Sequence, residues 1–312
     1  VADNQYFRYE VAGIPGANTA MFLVSGGAPY KIAFDSAPID RVAGVAQSSN
    51  NYARIYDRFN NRATLTSPIT VSFQAVLASD TSSVVRTLPT LVLTPTDPNG
   101  LVSNSSMNVT RSGVIRFKAT ATDLVDGLTS PFTVSNAAAN KLVIVQNVPS
   151  TIQSGLTFSP EVRLQVQDQY DNPVINATYS ASVSRVAGTI SAIAGGVASS
   201  PSGSSFIDFP DLALTATNGS TRIRFTANFG SPFTIDSSIF TVTSGAAFRL
   251  SVSPTTQTVA NRVALNDVVV RVLDSAGNLV SGSTAQVSAG MTGATLSGTA
   301  ILYSANGIAS FS

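Results

Sequence analysis

The chain has no cysteine, no histidine and no tryptophan. Without cysteine there can be no disulfide, thiolate zinc site or thiol nucleophile, so stability has to come from packing. Without histidine the commonest general base and the commonest metal ligand are gone, and with them a Ser-His-Asp triad. Without tryptophan the best sugar-stacking aromatic is gone. Glutamate is reduced to Glu10 and Glu161, so paired-carboxylate hydrolysis would rest on aspartates. A Ser-Lys dyad would have to use Lys31, Lys118 or Lys141, and no Gly-x-Ser-x-Gly elbow precedes a helical pattern. These gaps exclude most catalytic chemistry, and the chain reads as a non-enzyme.

Charge is scarce as well. Charged residues make up 11% and the net charge is +1, which leaves no footprint for nucleic acid or an anionic surface. Apolar residues alternate with polar ones, as at Leu164 and Val166 or Val270 and Val272, and no run approaches the ~20 residues of a membrane span. Missing cysteine leaves the compartment open, because disulfides are permitted outside cells but not required there.

What the chain does contain is a repeat. Phe22-Leu-Val-Ser-Gly-Gly, Phe132-Thr-Val-Ser-Asn-Ala and Phe240-Thr-Val-Thr-Ser-Gly open three segments spaced by 110 and 108 residues. The second marker is an alternating strand that enters an Asp-x-x-(Gly/Asp/Asn)-Asn turn, at Asp57 to Asn61, Asp168 to Asn172 and Asp274 to Asn278. Short polar side chains there can bond local amides and tolerate positive φ. The third marker aligns Phe7-Arg-Tyr, Ile115-Arg-Phe and Ile223-Arg-Phe at steps of 108, and the fourth aligns Leu88-Pro-Thr-Leu91 with Phe209-Pro-Asp-Leu212.

Between markers lie short Val/Ile/Thr/Phe runs with period-2 alternation and Gly, Pro, Asn and Ser clusters, which predict an all-β fold of tandem immunoglobulin-like antiparallel β-sandwich modules. The predicted domains are 1–29 (the final two strands of a preceding or neighbouring module), 30–139, 140–247, and 248–312 (a module lacking its final two strands). Ile55, Val166 and Val272 should face the core, and Arg54, Gln165 and Arg271 the other way. Polar residues from Pro95 to Asn108 read as an enlarged loop. The joints are a few small residues long, which predicts restricted angles and an elongated rod.

The segment Asp274 to Val280 followed by Gly307-Ile-Ala-Ser-Phe311 is similar to the bacterial Ig-like repeats of large surface adhesins, invasin-type stalks and extracellular filaments. Asp168 and Asp57 keep the frame with Asp171 and Asn60 in place of the glycine. Algal flagellar hair proteins are similar tandem arrays, though their cysteines are missing here. The resemblance implies an extracellular, cell-surface structural segment giving reach and stiffness; the alternative is an adhesive module holding a glycan or protein.

Candidate sites are few. Asp57, Asn61, Asp168, Asn172, Asp274 and Asn278 are read as structural turns, not Ca²⁺ ligands, since calcium needs six to eight oxygens and no acidic cluster accompanies them. No cofactor or metal is expected. Lys31 and Lys141 occupy equivalent strand starts where some surface proteins cross-link Lys to Asn, but Arg249 at the third cannot. Asn104, Asn108, Asn176 and Asn218 open glycosylation sequons. Phe59, Tyr170 and Tyr30 are aromatics whose economical role is packing on a neighbouring module. The expected partners are further copies of the chain or continuing modules, end to end.

Overall fold

The computed structural model describes residues 4–47, 51–96, 99–102, 107–260 and 263–312, and every regular element among them is a β-strand. The chain divides into two compact units, residues 1–138 with 168–172 and residues 139–167 with 173–312.

In the first unit, Lys31–Phe34, Asn51–Tyr56 and Asn99–Val102 form one antiparallel sheet with Asn51–Tyr56 in the middle. The facing sheet runs Arg41–Val42, Phe132–Ser135, Gly113–Thr120, Ile69–Leu77, Val84–Leu93, with Gly127–Leu128 beside Gly113–Thr120. Strand Arg41–Val42 pairs parallel to Phe132–Ser135; the others are antiparallel. Alternation sends Ala53 and Ile55 from one sheet against Phe73, Ile115, Phe117 and Phe132 from the other, forming a single buried cluster. This is the β-sandwich that the alternating runs call for.

The second unit repeats the plan. Ala139–Gln146, Val162–Asp168 and Phe206–Phe209 face a sheet of Thr151–Gln153, Phe240–Thr243, Gly219–Asn228, Ser180–Ala187 and Val197–Ser199, and the parallel pair recurs between Thr151–Gln153 and Phe240–Thr243. Leu164, Val166, Ile207 and Phe209 bury against Ile223, Phe225, Phe240 and Val242. A third set, Arg249–Ser253, Val268–Leu273 and Ile308–Phe311 with Gln286–Ser288 and Ile301–Tyr303, encloses a much smaller cluster of Val270, Val287 and Ala309. At the other end of the chain, Asn4–Gln5 pairs with Phe22–Leu23 and Arg8–Val11 with Ile14–Asn18.

Ile55, Val166 and Val272 are buried, while Arg54 and Gln165 are half-buried and Arg271 is exposed. Three readings need correction. The stretch from Pro95 to Asn108 holds a strand, Asn99–Val102, paired with Asn51–Tyr56 in register Asn99 to Arg54. Its Asn-Gly start reads as a turn, yet the neighbouring strand recruits it into the ladder.

The third marker is one pleat out of step. Phe132 pairs with Ile115, whereas Phe240 pairs with Thr221 and Phe22 with Gln5. The same offset shows in the arginines, since Arg116 donates to the Thr129 carbonyl and Arg222 to that of Ser237. Phe7, Phe117 and Ile223 are therefore the equivalent residues. A two-residue slip preserves the inward–outward alternation, so the sequence match survives it.

The fourth marker joins unlike strands. Leu88 and Leu91 lie in Val84–Leu93, beside Ile69–Leu77, while Phe209 pairs with Val162. The true counterparts of Leu212 and Leu214 are Met107 and Val109, all four of them buried: Gly44 donates its N–H to the Val109 carbonyl as Gly155 does to that of Leu214.

Candidate functional site: the aspartate–asparagine turns

Each turn follows a central strand of a three-stranded sheet. The Asp57 N–H donates to the Asn61 carbonyl at 2.9 Å, Asp168 to Asn172 at 3.0 Å and Asp274 to Asn278 at 2.9 Å. The residue before the asparagine is left-handed in all three, with φ of 66° at Asn60, 69° at Asp171 and 90° at Gly277. This is the conformation that Asn, Asp and Gly tolerate best.

The carboxylate organises the rest. At Asp168, Oδ1 accepts the N–H groups of Tyr170 (2.8 Å) and Asn172 (3.0 Å), while Oδ2 accepts the Asn172 amide (2.8 Å) and the N–H of Ala137 (2.8 Å). Asp57 accepts from Phe59, Asn61, the Asn61 amide and Gly27 in the same way. Asp274 accepts from Asn278, its amide, Gly245 and Ala276. Gly27, Ala137 and Gly245 hold the same place in the first marker. The carboxylate thus ties its turn to the residues that follow Phe22–Leu23, Phe132–Ser135 or Phe240–Thr243, about 30 positions back.

The asparagine adds a second tie. Asn172 donates its amide to the Thr110 carbonyl at 2.7 Å and accepts the Ser112 N–H at 2.8 Å. Asn278 repeats both bonds with Ala216 (2.9 Å) and Asn218 (2.7 Å). For Asn61 the counterpart of Ser112 falls at residue 2, outside the described residues.

All three aspartates are buried. Burial pushes the Asp168 and Asp274 carboxyls up, but the donated hydrogen bonds outweigh it and hold both below the usual carboxylate range. Asp57 is held low chiefly by the Gly27 N–H. With both oxygens of each carboxylate filled by N–H donors, a cation would have to displace protein hydrogen bonds to reach them. Among the described residues no group of three or more acidic side chains lies close enough to hold a metal.

The aromatic position within the turn differs. Tyr170 packs on the core of the first unit, and its hydroxyl sits where Gly44 (φ +82°) presents no side chain: a Cβ there would lie 2.1 Å from the oxygen. Phe59 is 83% exposed, and Ala276 stands at the third turn. Tyr30 lies under the Arg58 guanidinium at 5.0 Å.

The remaining candidates are spread apart. Lys31 donates to Asn60 Oδ1 on an exposed surface, Lys118 pairs with Asp126 at 3.0 Å, and Lys141 lies in strand Ala139–Gln146. Asn176 and Asn218 are exposed; Asn108 is half-buried with its amide oxygen shut from solvent, and Asn104 lies outside the described residues. The turns are visible in the sequence as spacing, but their carboxylate bonds reach past the five local residues to Gly27, Ala137 and Gly245, the small residues at one fixed place in the first marker.

No protein-family model matches the chain, and no curated protein matches it. Among solved structures it is similar to domains 4–9 of the surface-layer protein SbsC (15% identity, 89% of this chain and 43% of that one, TM-score 0.27). It is also similar to the D00–D0 domain of intimin (9% identity, 68% of this chain and 99% of that one, TM-score 0.30). A third is Drosophila OTK extracellular domains 3–5, at 12% identity over 80% of this chain and 77% of that one, with a TM-score of 0.31. The chain spans less than half the length of the SbsC piece.

Proposed function

We propose that this chain is a structural repeat segment of an extracellular surface filament or adhesin stalk, with a non-catalytic role in giving reach and stiffness. The observation that supports the reading best is the recurrence of the same double tie at Asp168–Asn172 and Asp274–Asn278, where each turn bonds the residues just after Phe132–Ser135 or Phe240–Thr243 and those just before Gly113–Thr120 or Gly219–Asn228. A linker that merely connected two modules would need no such bonds. Each turn makes three such outward bonds, and those of Asp274 to Gly245 and of Asn278 to Ala216 are buried, so that bending would open them with no water to replace them. The scarcity of charge, the lack of histidine and cysteine, and the Asp-x-x-Gly-Asn-x-Val resemblance point the same way.

The test uses the absence of native cysteine. Dyes placed on cysteines at Ser202 and Ser281 should report a narrow distance distribution in single-molecule fluorescence, and Asn278→Ala should broaden it. Equal widths in both proteins would reject a stiff joint. A membrane-impermeant lysine reagent applied to intact source cells should label Lys31 or Lys118 peptides; failure to label would reject the surface location, and retention on a glycan or protein surface would favour the adhesive alternative.

A further inference from the structure

Of the four sequons, Asn104 lies outside the described residues, and the other three sit in unlike stretches of backbone. At Asn176-Ala177-Thr178 the chain has left the three-stranded sheet at Val162–Asp168 and has yet to enter the facing sheet at Ser180–Ala187. Both ends of this crossing are fixed. Pro173 bridges Gln167, Val174 is buried, and the Val174 N–H donates to the Val166 carbonyl at 3.0 Å. At the far end the Tyr179 N–H donates to Ser200 Oγ at 2.9 Å, and the Tyr179 ring meets Phe229 at 5.0 Å. Residues 175–178 form a short protrusion between these anchors, and all four are exposed. Among the described residues no hydrogen bond engages the Asn176 amide or the Thr178 hydroxyl, so neither has to be freed before it can react.

The other two described sequons are tied into the fold. Asn108 bridges Ala46, its carbonyl accepts from Arg86 Nη1 at 2.6 Å, and its amide oxygen is shut from solvent. Its neighbour Val109 is buried, and the Thr110 carbonyl takes the Asn172 amide. Asn218 is exposed, but its N–H is held by Asn278 Oδ1 at 2.7 Å, and Gly219 and Ser220 pair with Val242 and Thr241. A transferase has to fit the amide and the hydroxyl two residues on into its own cleft. At Asn108 and Asn218 that means opening backbone pairing and the bonds of an aspartate–asparagine turn, whereas at Asn176 nothing is opened.

We propose that Asn176 is an N-glycosylation site, the acceptor of an oligosaccharide carried on a lipid diphosphate. In that transfer a bond forms between Asn176 Nδ2 and C1 of the first sugar, the bond from C1 to the diphosphate breaks, and the lipid diphosphate leaves with its electron pair. One Nδ2 proton passes to a base of the transferase. The inference rests on the extracellular reading above, because this modification belongs to exposed loops of exported chains. The attached glycan displaces no bond of the sandwich.

Trypsin separates the sites, placing Asn108 in peptide 87–111, Asn176 in 164–185 and Asn218 in 186–222. In the chain purified from its source cells, an N-glycosidase acting in heavy-oxygen water should convert Asn176 to labelled Asp in most copies of its peptide and leave Asn108 and Asn218 unlabelled. Thr178→Ala, which keeps the asparagine and removes the hydroxyl, should abolish the label at Asn176 and leave the melting temperature unchanged. An unmodified Asn176, heavier labelling at Asn108 or Asn218, or a modification that survives Thr178→Ala would each overturn the inference. If Asn176 is bare in a chain that the impermeant lysine reagent labels, only this inference falls; if the chain carries neither mark, the surface reading falls with it.

Discussion

At Asp274 and Asn278 a carboxylate and an amide reach out of their own turn to Gly245, Ala216 and Asn218. At Asp57 and Asn61 the same chemistry reaches Gly27 through the carboxylate, and among the described residues the Asn61 amide bonds Asp57 alone. The aromatic position tells the same story: Tyr170 is packed on the first unit's core, Phe59 is bare. One local motif thus recurs with the same carboxylate bonds, while its aromatic position is packed at Tyr170 and exposed at Phe59. The turn is held by five residues, and at Asp274–Asn278 its outward bonds reach residues about 30 and 60 positions back.

The largest effect should come from removing the buried carboxylate. Asp274→Ala strands several N–H donors and should cost about 3–5 kcal/mol, read as a lower urea midpoint. If Asp274→Ala lost less than Asn278→Ala, the carboxylate would not be the organising group.

Asn278→Ala should cost about 2 kcal/mol, since it removes bonds to three partners. A loss below about 0.5 kcal/mol would show that the bonds to Ala216 and Asn218 are dispensable. At the aromatic position, Tyr170→Ala should cost about 1–2 kcal/mol through lost packing and Phe59→Ala less than about 0.5 kcal/mol. A destabilised Phe59→Ala chain in dilute, monomeric conditions would show that Phe59 is packed in solution.

Acid should narrow these differences. The folded pKa values of Asp168 and Asp274 lie below the unfolded value, so their contribution is fully present above about pH 4 and is lost as pH falls through the depressed values. The midpoint gap between the parent chain and Asp274→Asn should therefore be flat from pH 7 to about 5 and shrink below about 4. A gap that grew on acidification would mean the carboxyl is bound in its protonated form.

The sandwich was legible because period-2 alternation writes the inner face directly into the residues, as in Val162, Leu164 and Val166. Strand Asn99–Val102 was not, because Asn-Gly is strong turn chemistry and only pairing with Arg54 and Ala53 overrides it. Pairing offset was illegible where Ile115 and Ile223 share an Arg-Phe neighbour pattern, since a slip of one pleat leaves every side chain on its own face. The turns were visible as spacing, but the amide ties to Thr110 and Ala216 were not, because a backbone carbonyl carries no residue identity for a sequence to display.

The parallel pairs Arg41–Val42 with Phe132–Ser135 and Thr151–Gln153 with Phe240–Thr243 would set how load passes through each sandwich under the proposed role. An entering strand and a leaving strand that run side by side in one direction are dragged past each other lengthwise when the chain is pulled from both sides. Their hydrogen bonds then carry tension together instead of opening one after another. Resistance of this kind is governed by the rate of unfolding under force and not by equilibrium stability, so a sandwich without disulfides can be mechanically durable while only ordinarily stable.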